Sequence, residues 1–376
     1  MAEVILPSGP GAPPPRWSPD HLRLHRSLLR QPRLLPGGAP LLLAVSGGQD
    51  SMAMTGLLRD LCGLHHWQLH LWHGDHGWRQ ESQQQASELQ AWAVSQGLPI
   101  RIERQVPQQL SANREAAARL WRYRCLQREA SRLGCRHVLT AHTASDRAET
   151  VLLHLARGSH RRGLASLRRR QPLAALLAAA SQPGEHGGAE LVSEVALDPG
   201  AGPMQVVWLV RPLQAFTRQD SERICRREGW PIWHDPSNSL LELSRNRIRA
   251  QVLPVLEQLH PGAARRISEQ AERLAAEQEQ QQELLDLALT PLSSGPLQLD
   301  RRALLRLSPA AQGLLLQHWL RRCRGRELDS RSLAGLLPRL AMQRGPGRMD
   351  LAGGWQLCWQ GTTLALRPPR THAGHG

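Results

Sequence analysis

The segment Ser46-Gly47-Gly48-Gln49-Asp50-Ser51 follows directly on the apolar run Leu41–Val45 and leads into a stretch whose Met54, Leu57, Leu58 and Leu61 fall on one helical face. Glycines at such a junction take backbone angles closed to other residues, so several amides can point at one anion while the helix N-terminus adds positive potential. The Ser46 and Ser51 hydroxyls can close that cradle, and Asp50 can hold a metal ion or cap the helix. An ordinary strand-to-helix turn uses the same residue types. Spacing and context together favour a phosphate loop.

Further along, Asp146 and Glu149 stand three residues apart near a helix start, so both carboxylates can face one spot above the strand ends. The ordinary alternative is a capping box, Asp-x-x-Glu satisfying orphan amides. His73, Asp75 and His76 can be read as metal ligands, as strand-end residues shaping a nucleotide pocket, or as structural side chains, and His142 carries the same alternatives. Arg157, Arg161, Arg162 and the run Arg168 to Arg170 are either a basic nucleic-acid surface or solvated cations, and Arg321, Arg322, Arg324 and Arg326 pose the same choice.

The elements that must position these residues have an α/β rhythm. Short strands are predicted at Leu41–Val45, Trp67–Trp72, Ile100–Val106, His137–Ala141 and Val206–Val210, alternating with helices over Glu81–Gln96, Ser111–Leu133 and Glu149–Ala156. This alternation implies a doubly wound parallel sheet, preceded by a helix over Asp20–Leu29. The rhythm breaks between Leu167 and Gln205 into an alanine run and a Pro/Gly-rich stretch from Gln182 to Pro203, read as an insertion at about 168–205 that carries no chemistry. A polar helix over Ala263–Leu289 reads as a connector to a small α+β second domain, with helices at Ala310–Arg322 and Ser330–Met342 and strands at Trp355–Trp359 and Thr363–Leu366. The expected division is an arm at 1–16, an α/β domain at 17–258, and connector plus C-terminal domain at 259–376.

Composition removes whole mechanisms. All 47 basic residues are arginine, so no lysine serves a Walker A loop, a pyridoxal Schiff base or a lysine-adenylate ligase. A formal charge of +15 suits an anionic partner such as nucleic acid. The six cysteines form no C-x-x-C pair, so neither a zinc knuckle nor an iron–sulfur framework is indicated, and a reduced compartment fits them. No 18-residue apolar run exists and Met1–Pro15 lacks a signal-peptide core, so the expectation is a cytoplasmic protein with no membrane and no evident protein partner.

The Ser46–Ser51 segment resembles the fingerprint of the PP-loop, or N-type ATP pyrophosphatase, superfamily, whose fold is the adenine nucleotide α-hydrolase-like one. Further motifs narrow the resemblance: His73-Gly74-Asp75-His76-Gly77-Trp78-Arg79, Arg114-Glu115-Ala116-Ala117-Ala118-Arg119 leading to Arg122-Tyr123, Thr140-Ala141-His142, Arg157-Gly158, Arg211-Pro212-Leu213, Asp235-Pro236-Ser237-Asn238 and Arg245-Asn246-Arg247-Ile248-Arg249. In this order they resemble the tRNA(Ile)-lysidine synthetase family, from about residue 40 to residue 254, with a tail similar in placement to its C-terminal tRNA-binding domain.

That resemblance implies ATP-dependent activation of C2 of the wobble cytidine in the CAU anticodon of tRNA(Ile), then attack by the ε-amine of L-lysine to give lysidine, AMP and pyrophosphate. It implies ATP contacts from Ser46, Gly47, Gly48, Gln49, Asp50, Ser51, His73 and His142, with Mg2+ on Asp50. It implies catalytic roles for Asp50, Asp146, Glu149, Arg119 and Arg122, the carboxylates Asp146 and Glu149 holding lysine, and tRNA contacts from Arg245, Asn246 and Arg249. The chain departs from the family pattern at His142-Thr143-Ala144-Ser145-Asp146-Arg147, where relatives commonly show His-His-x-Asp-Asp-Gln. The alternatives are another PP-loop tRNA enzyme such as a thiolase, which would need reactive sulfur chemistry, and a non-catalytic RNA-binding protein, against which Ser46, Asp50 and Ser51 all stand.

Overall fold

The computed structural model describes residues 17–77, 81–105, 114–159, 161–180, 206–233 and 244–369. The N-terminal arm, Trp78 and Arg79, the first turn expected at Ser111, the stretch Gln182–Pro203 and the motif Asp235-Pro236-Ser237-Asn238 lie outside these residues, as do the side chains of Arg114, Glu115 and Arg162.

The first compact unit ends at Ala275. After helix α1 (Pro19–Leu29) come β1 (Pro40–Ala44), α2 (Gln49–His65), β2 (Gln68–Asp75), α3 (Ser82–Ser95), β3 (Ile100–Arg104), α4 (Arg114–Arg132), β4 (His137–Leu139), α5 (Ala144–Ala156) and the short α6 (Arg161–Leu164). Then follow β5 (Arg170–Pro172), α7 (Leu173–Ala180), β6 (Trp208–Val210), α8 (Arg218–Glu228), α9 (Ser244–Arg247), a π-helical turn (Ile248–Val252) and α10 (Leu253–Leu259). The sheet order is β3-β2-β1-β4-β6-β5. Leu41, Leu42 and Leu43 are all 0% exposed because helices cover both faces. Leu41 and Leu43 pack with Met54, Leu57 and Leu58 of α2, while Leu42 packs with Tyr123 and Leu126 of α4 and Leu173 of α7.

All strand pairs in this sheet are parallel except β5 with β6. Residues 170–180 are thus part of the sheet and its packing rather than of an insertion: Leu173 is fully buried, and Arg211 reaches back to hold the Arg168 carbonyl and the Gln171 side chain. An edge strand tolerates Pro172 because one row of its backbone groups needs no partner. The π turn has a local cause. Pro254 has no amide hydrogen and its ring crowds the carbonyl one turn before it, which widens the helix there.

Helix α11 (Ala263–Leu289) has the bounds expected from periodicity, and the second unit begins within it at Ala276. That unit holds β7 (Ser293–Gly295), β8 (Gln298–Asp300), α12 (Arg301–Leu305), α13 (Pro309–Arg324), α14 (Ser330–Leu336), β9 (Gly347–Leu351), β10 (Trp355–Gln360) and β11 (Thr363–Arg367). Its five strands form an antiparallel sheet in the order β7-β8-β11-β10-β9, a larger sheet than the two expected strands. Leu316, Trp319 and Leu320 of α13 pack on Leu357 and Leu364 of that sheet. Arg301, 2% exposed, donates to the carbonyls of Leu340, Ala341, Arg344 and Gly361, so each nitrogen of its buried guanidinium has a partner. Among the described residues no helix is long and apolar enough to cross a membrane.

Candidate functional site

From β1 the chain builds outward through β2 and β3 and then returns to β4 on the other side of β1. The strand order therefore reverses between β1 and β4, and a crevice outside their carboxyl ends is where an open α/β sheet binds ligands. The Ser46–Ser51 loop and the segment Thr140–Thr143 emerge there. Three helices also begin there, α2 at N-cap Gly48, α5 at N-cap Thr143 and α8 at N-cap Thr217. Gln49 Nε2 donates to the Arg218 carbonyl (2.8 Å), the Arg218 amide donates to Ser145 Oγ (3.1 Å) and the Ala144 amide to the Phe216 carbonyl (2.7 Å). Three positive helix ends are thus held together, an arrangement that favours an anion.

Within the loop, Ser51 Oγ donates to the Gly48 carbonyl (2.8 Å) and accepts from the Ser46 amide (3.2 Å), and Ser46 Oγ donates to Ser51 Oγ (3.2 Å). Gly47 has φ +84°, and a Cβ there would stand 3.2 Å from the ring of Trp233. Trp233 is tied down twice, its amide donating to the Gly47 carbonyl and its indole to Glu88. Gly47→Ala should cost about 1–2 kcal/mol of backbone strain, lowering the stability of the first unit by that amount. Denaturant unfolding checks this, and an unchanged midpoint would show that the loop does not need its left-handed glycine.

The carboxylates sit beside this loop. Asp146 Oδ2 accepts from the Thr143 amide and hydroxyl, both at 2.8 Å, so the capping box is Thr143-x-x-Asp146, one helical register before the Asp146-x-x-Glu149 alternative. Its other oxygen, Oδ1, accepts from Arg245 Nη2 (3.1 Å), with Arg249 at 3.6 Å. Glu149, with a side chain 1% exposed, accepts from Arg245 Nε (2.9 Å), Arg249 Nε (2.7 Å) and Arg249 Nη2 (2.9 Å). Burial opposes ionisation of Asp146, but Arg245, His142 and the Thr143 cap hold its carboxyl below the usual range. Asp50 goes the other way. Burial first, and then the Asp146 carboxylate, push it up to about 7, with Arg218, Ser221 and Arg249 only partly offsetting them.

Burial disfavours the charged form of each histidine at the site. His73 donates from Nδ1 to the Val45 carbonyl (2.8 Å), and burial lowers its pKa. His76 accepts at Nε2 from Arg122 Nη2 (3.0 Å) and is lowered by burial too. His142 lies 3.0 Å from Thr140 Oγ1, and desolvation with the nearby Arg211 holds it well below its ordinary value. Asp75 caps the turn at the Gly77 amide (2.8 Å). Among the described residues, no three His, Cys, Asp or Glu side chains gather as a metal site.

The site residues expected from sequence thus fall into two groups. Asp50, Asp146, Glu149, Arg245 and Arg249 form one cluster with the loop. Arg119, stacked 5.3 Å from the Tyr123 ring, and Arg122 lie on the exposed face of α4 with His76, His142 being near Arg119. Gln49 turns its side chain to Arg218, and Asn246 is 8% exposed. Arg169 bonds Ser27 and Gln31, Arg170 stacks on Trp208, Arg321 pairs with Glu327, and Arg322 pairs with Asp286, so these arginines hold the protein's own structure. Arg218, Ser145 and Trp233 were not expected. The signal for Arg218 was its place after the cap in Thr217-Arg218-Gln219-Asp220.

Residues 25–256 match the PP-loop domain family, and residues 299–364 match the TilS substrate binding domain. The chain is 48% identical to a tRNA(Ile)-lysidine synthase of Parasynechococcus marenigrum, over 96% of this chain and 97% of that protein. It is 39% identical to a tRNA(Ile)-lysidine synthase of Prochlorococcus marinus, over 93% of this chain and 96% of that protein. Among solved structures, a U34-tRNA thiolase from Methanococcus maripaludis with its [4Fe-4S] cluster shares the fold, with TM-score 0.50, 17% identity, and coverage of 68% of this chain and 79% of that one. All six cysteines here are unpaired, and Cys225 beside the loop is buried, its thiol pushed up to about 12 by burial and by Asp50.

Proposed function

The chain belongs to the tRNA(Ile)-lysidine synthase family, and from that membership we propose how its residues carry out lysidine formation. The enzyme ligates lysine to the wobble cytidine of a tRNA(Ile) with a CAU anticodon, at the expense of ATP. The C2 oxygen of the cytidine attacks the α-phosphorus of ATP and pyrophosphate leaves. The ε-amine of lysine, having lost a proton, then attacks C2, the C2–oxygen bond breaks and AMP leaves. Both reactants and the tRNA meet in the cytoplasm.

The Ser46–Ser51 loop takes the pyrophosphate, its amides and three helix ends facing the negative charge. Asp146 takes the lysine ammonium: its Oδ1 is held only by arginine, and its side chain is 14% exposed. Glu149, enclosed by Arg245 and Arg249, acts through those two arginines, which face the tRNA together with Asn246. Arg119 and Arg122, exposed on α4, have the forked donors that grip phosphate or cytidine. His73 and His142, whose charged forms burial disfavours, border the nucleotide at the strand ends.

Asp50 fits a divalent ion. Its Oδ1 is buried with no hydrogen-bond partner, and its charge is costly there until a cation arrives. Mg2+ would draw its remaining oxygens from phosphate and water, as it does where one carboxylate is offered, and would supply charge neutralisation to the triphosphate.

One observation carries this reading: the anion cradle and the Asp146 carboxylate are joined at the start of three helices, which brings a triphosphate and an amine to one place. With ATP, lysine and the CAU transcript, AMP and pyrophosphate should form in equal amounts, and a transcript whose wobble cytidine is replaced by uridine should give neither. Equal AMP from both transcripts would contradict the reading.

A further inference from the structure

Arg218 is the first residue of α8, at the junction of the three helix starts. A cation at a helix N-terminus opposes the helix dipole, so an arginine fixed there needs an anion to offset it. Its backbone is held at both ends, the amide by Ser145 Oγ at the start of α5 and the carbonyl by Gln49 in the phosphate loop. Its guanidinium is not. Among the described residues its one side-chain partner is Asp50, at 3.5 Å, a long contact for a charged pair. The Arg218 side chain is 34% exposed and that of Asp50 17%, so the arginine is the more accessible of the two. Arg245 and Arg249 direct their Nε and Nη2 donors to Glu149 and Asp146. Among the described arginines of this cluster, Arg218 is the one with no carboxylate oxygen closer than 3.5 Å.

We propose that Arg218 is a binding residue for the β- and γ-phosphates of ATP, its loose contact with Asp50 keeping the guanidinium at the loop until the triphosphate takes it. This rests on the assignment of the Ser46–Ser51 loop as the ATP site. At 3.5 Å the contact with Asp50 is too long to fix the guanidinium firmly. The residue's effect should therefore appear in nucleotide affinity and should depend on phosphate number.

The test compares wild type, Arg218→Gln and Arg218→Lys with the isoleucine transcript present. The probes are α,β-methylene ATP, whose bridging carbon blocks pyrophosphate release, AMP, and inorganic pyrophosphate. Arg218→Gln should weaken α,β-methylene ATP and pyrophosphate by about 10- to 100-fold and AMP by less than about twofold, with Arg218→Lys recovering part of the loss, as expected for one charge-assisted contact. Equal affinities for all three proteins would overturn the proposal. An equal loss for AMP and α,β-methylene ATP would also overturn it, since that would mark a disturbed fold. If wild type ligates no lysine but the triphosphate-against-AMP split holds, the lysidine reading fails and the role of Arg218 stands. Wild type that binds none of the probes would remove both.

Discussion

Asp146→Ala raises the lysine concentration for half-maximal tRNA modification by about 10- to 100-fold and leaves ATP binding within about a factor of two. A hydrogen bond to a charged group contributes roughly 1.5–3 kcal/mol, and each 1.4 kcal/mol is tenfold in affinity. The ammonium of lysine carries its charge at the end of a flexible chain and needs a carboxylate oxygen that a small cation can reach. Asp146 Oδ1 is such an oxygen, whereas Oδ2 is committed to the Thr143 cap. Because alanine also removes the cap acceptor, Asp146→Asn is the informative partner variant: it keeps an oxygen for the Thr143 amide and loses the charge. Steady-state kinetics on both variants check the expectation. An unchanged KM for lysine in Asp146→Asn would sink the assignment.

The second large effect is on stability. Glu149→Ala should destabilise the first unit by about 3 kcal/mol, because it removes the acceptor of three charge-assisted hydrogen bonds and leaves Asp146 as the one carboxylate beside two guanidiniums. The value lies at the low end for a broken buried pair because the Arg245 side chain is 37% exposed and can find water. Glu149→Gln, which keeps the shape, should lose less. Denaturant unfolding measures both, and a midpoint equal to wild type would show that Arg245 and Arg249 do not depend on Glu149.

The Ser46–Ser51 turn between β1 and α2 was legible because its geometry is local: glycine freedom, serine hydroxyls and a helix start lie within six residues. The bounds of α11 were legible because its periodic pattern runs on without glycine or proline. Strands β7, β8 and β5 were not, being three residues long and carrying Ser, Gln, Asp, Arg or Pro where β-branched residues mark a strand. The departure at Thr143 and Ser145 looked like a loss of function groups. In the structure Thr143 caps α5 and orients Asp146, Ser145 holds the Arg218 amide, and Arg147 is a 1% exposed bridge to Gln214, Ser166 and Glu272. Arg218 escaped notice because its place depends on α8 landing beside a loop 168 residues earlier in the chain, which no local pattern records.

Lysine should be placed on one particular tRNA. Purified protein, Mg-ATP and labelled lysine are mixed with transcripts of the isoleucine and methionine CAU tRNAs, and label retained on RNA is counted. Label on the isoleucine transcript alone, with AMP and pyrophosphate, is the predicted result. Pyrophosphate release with no label on either transcript would keep the nucleotide chemistry and contradict the lysine assignment.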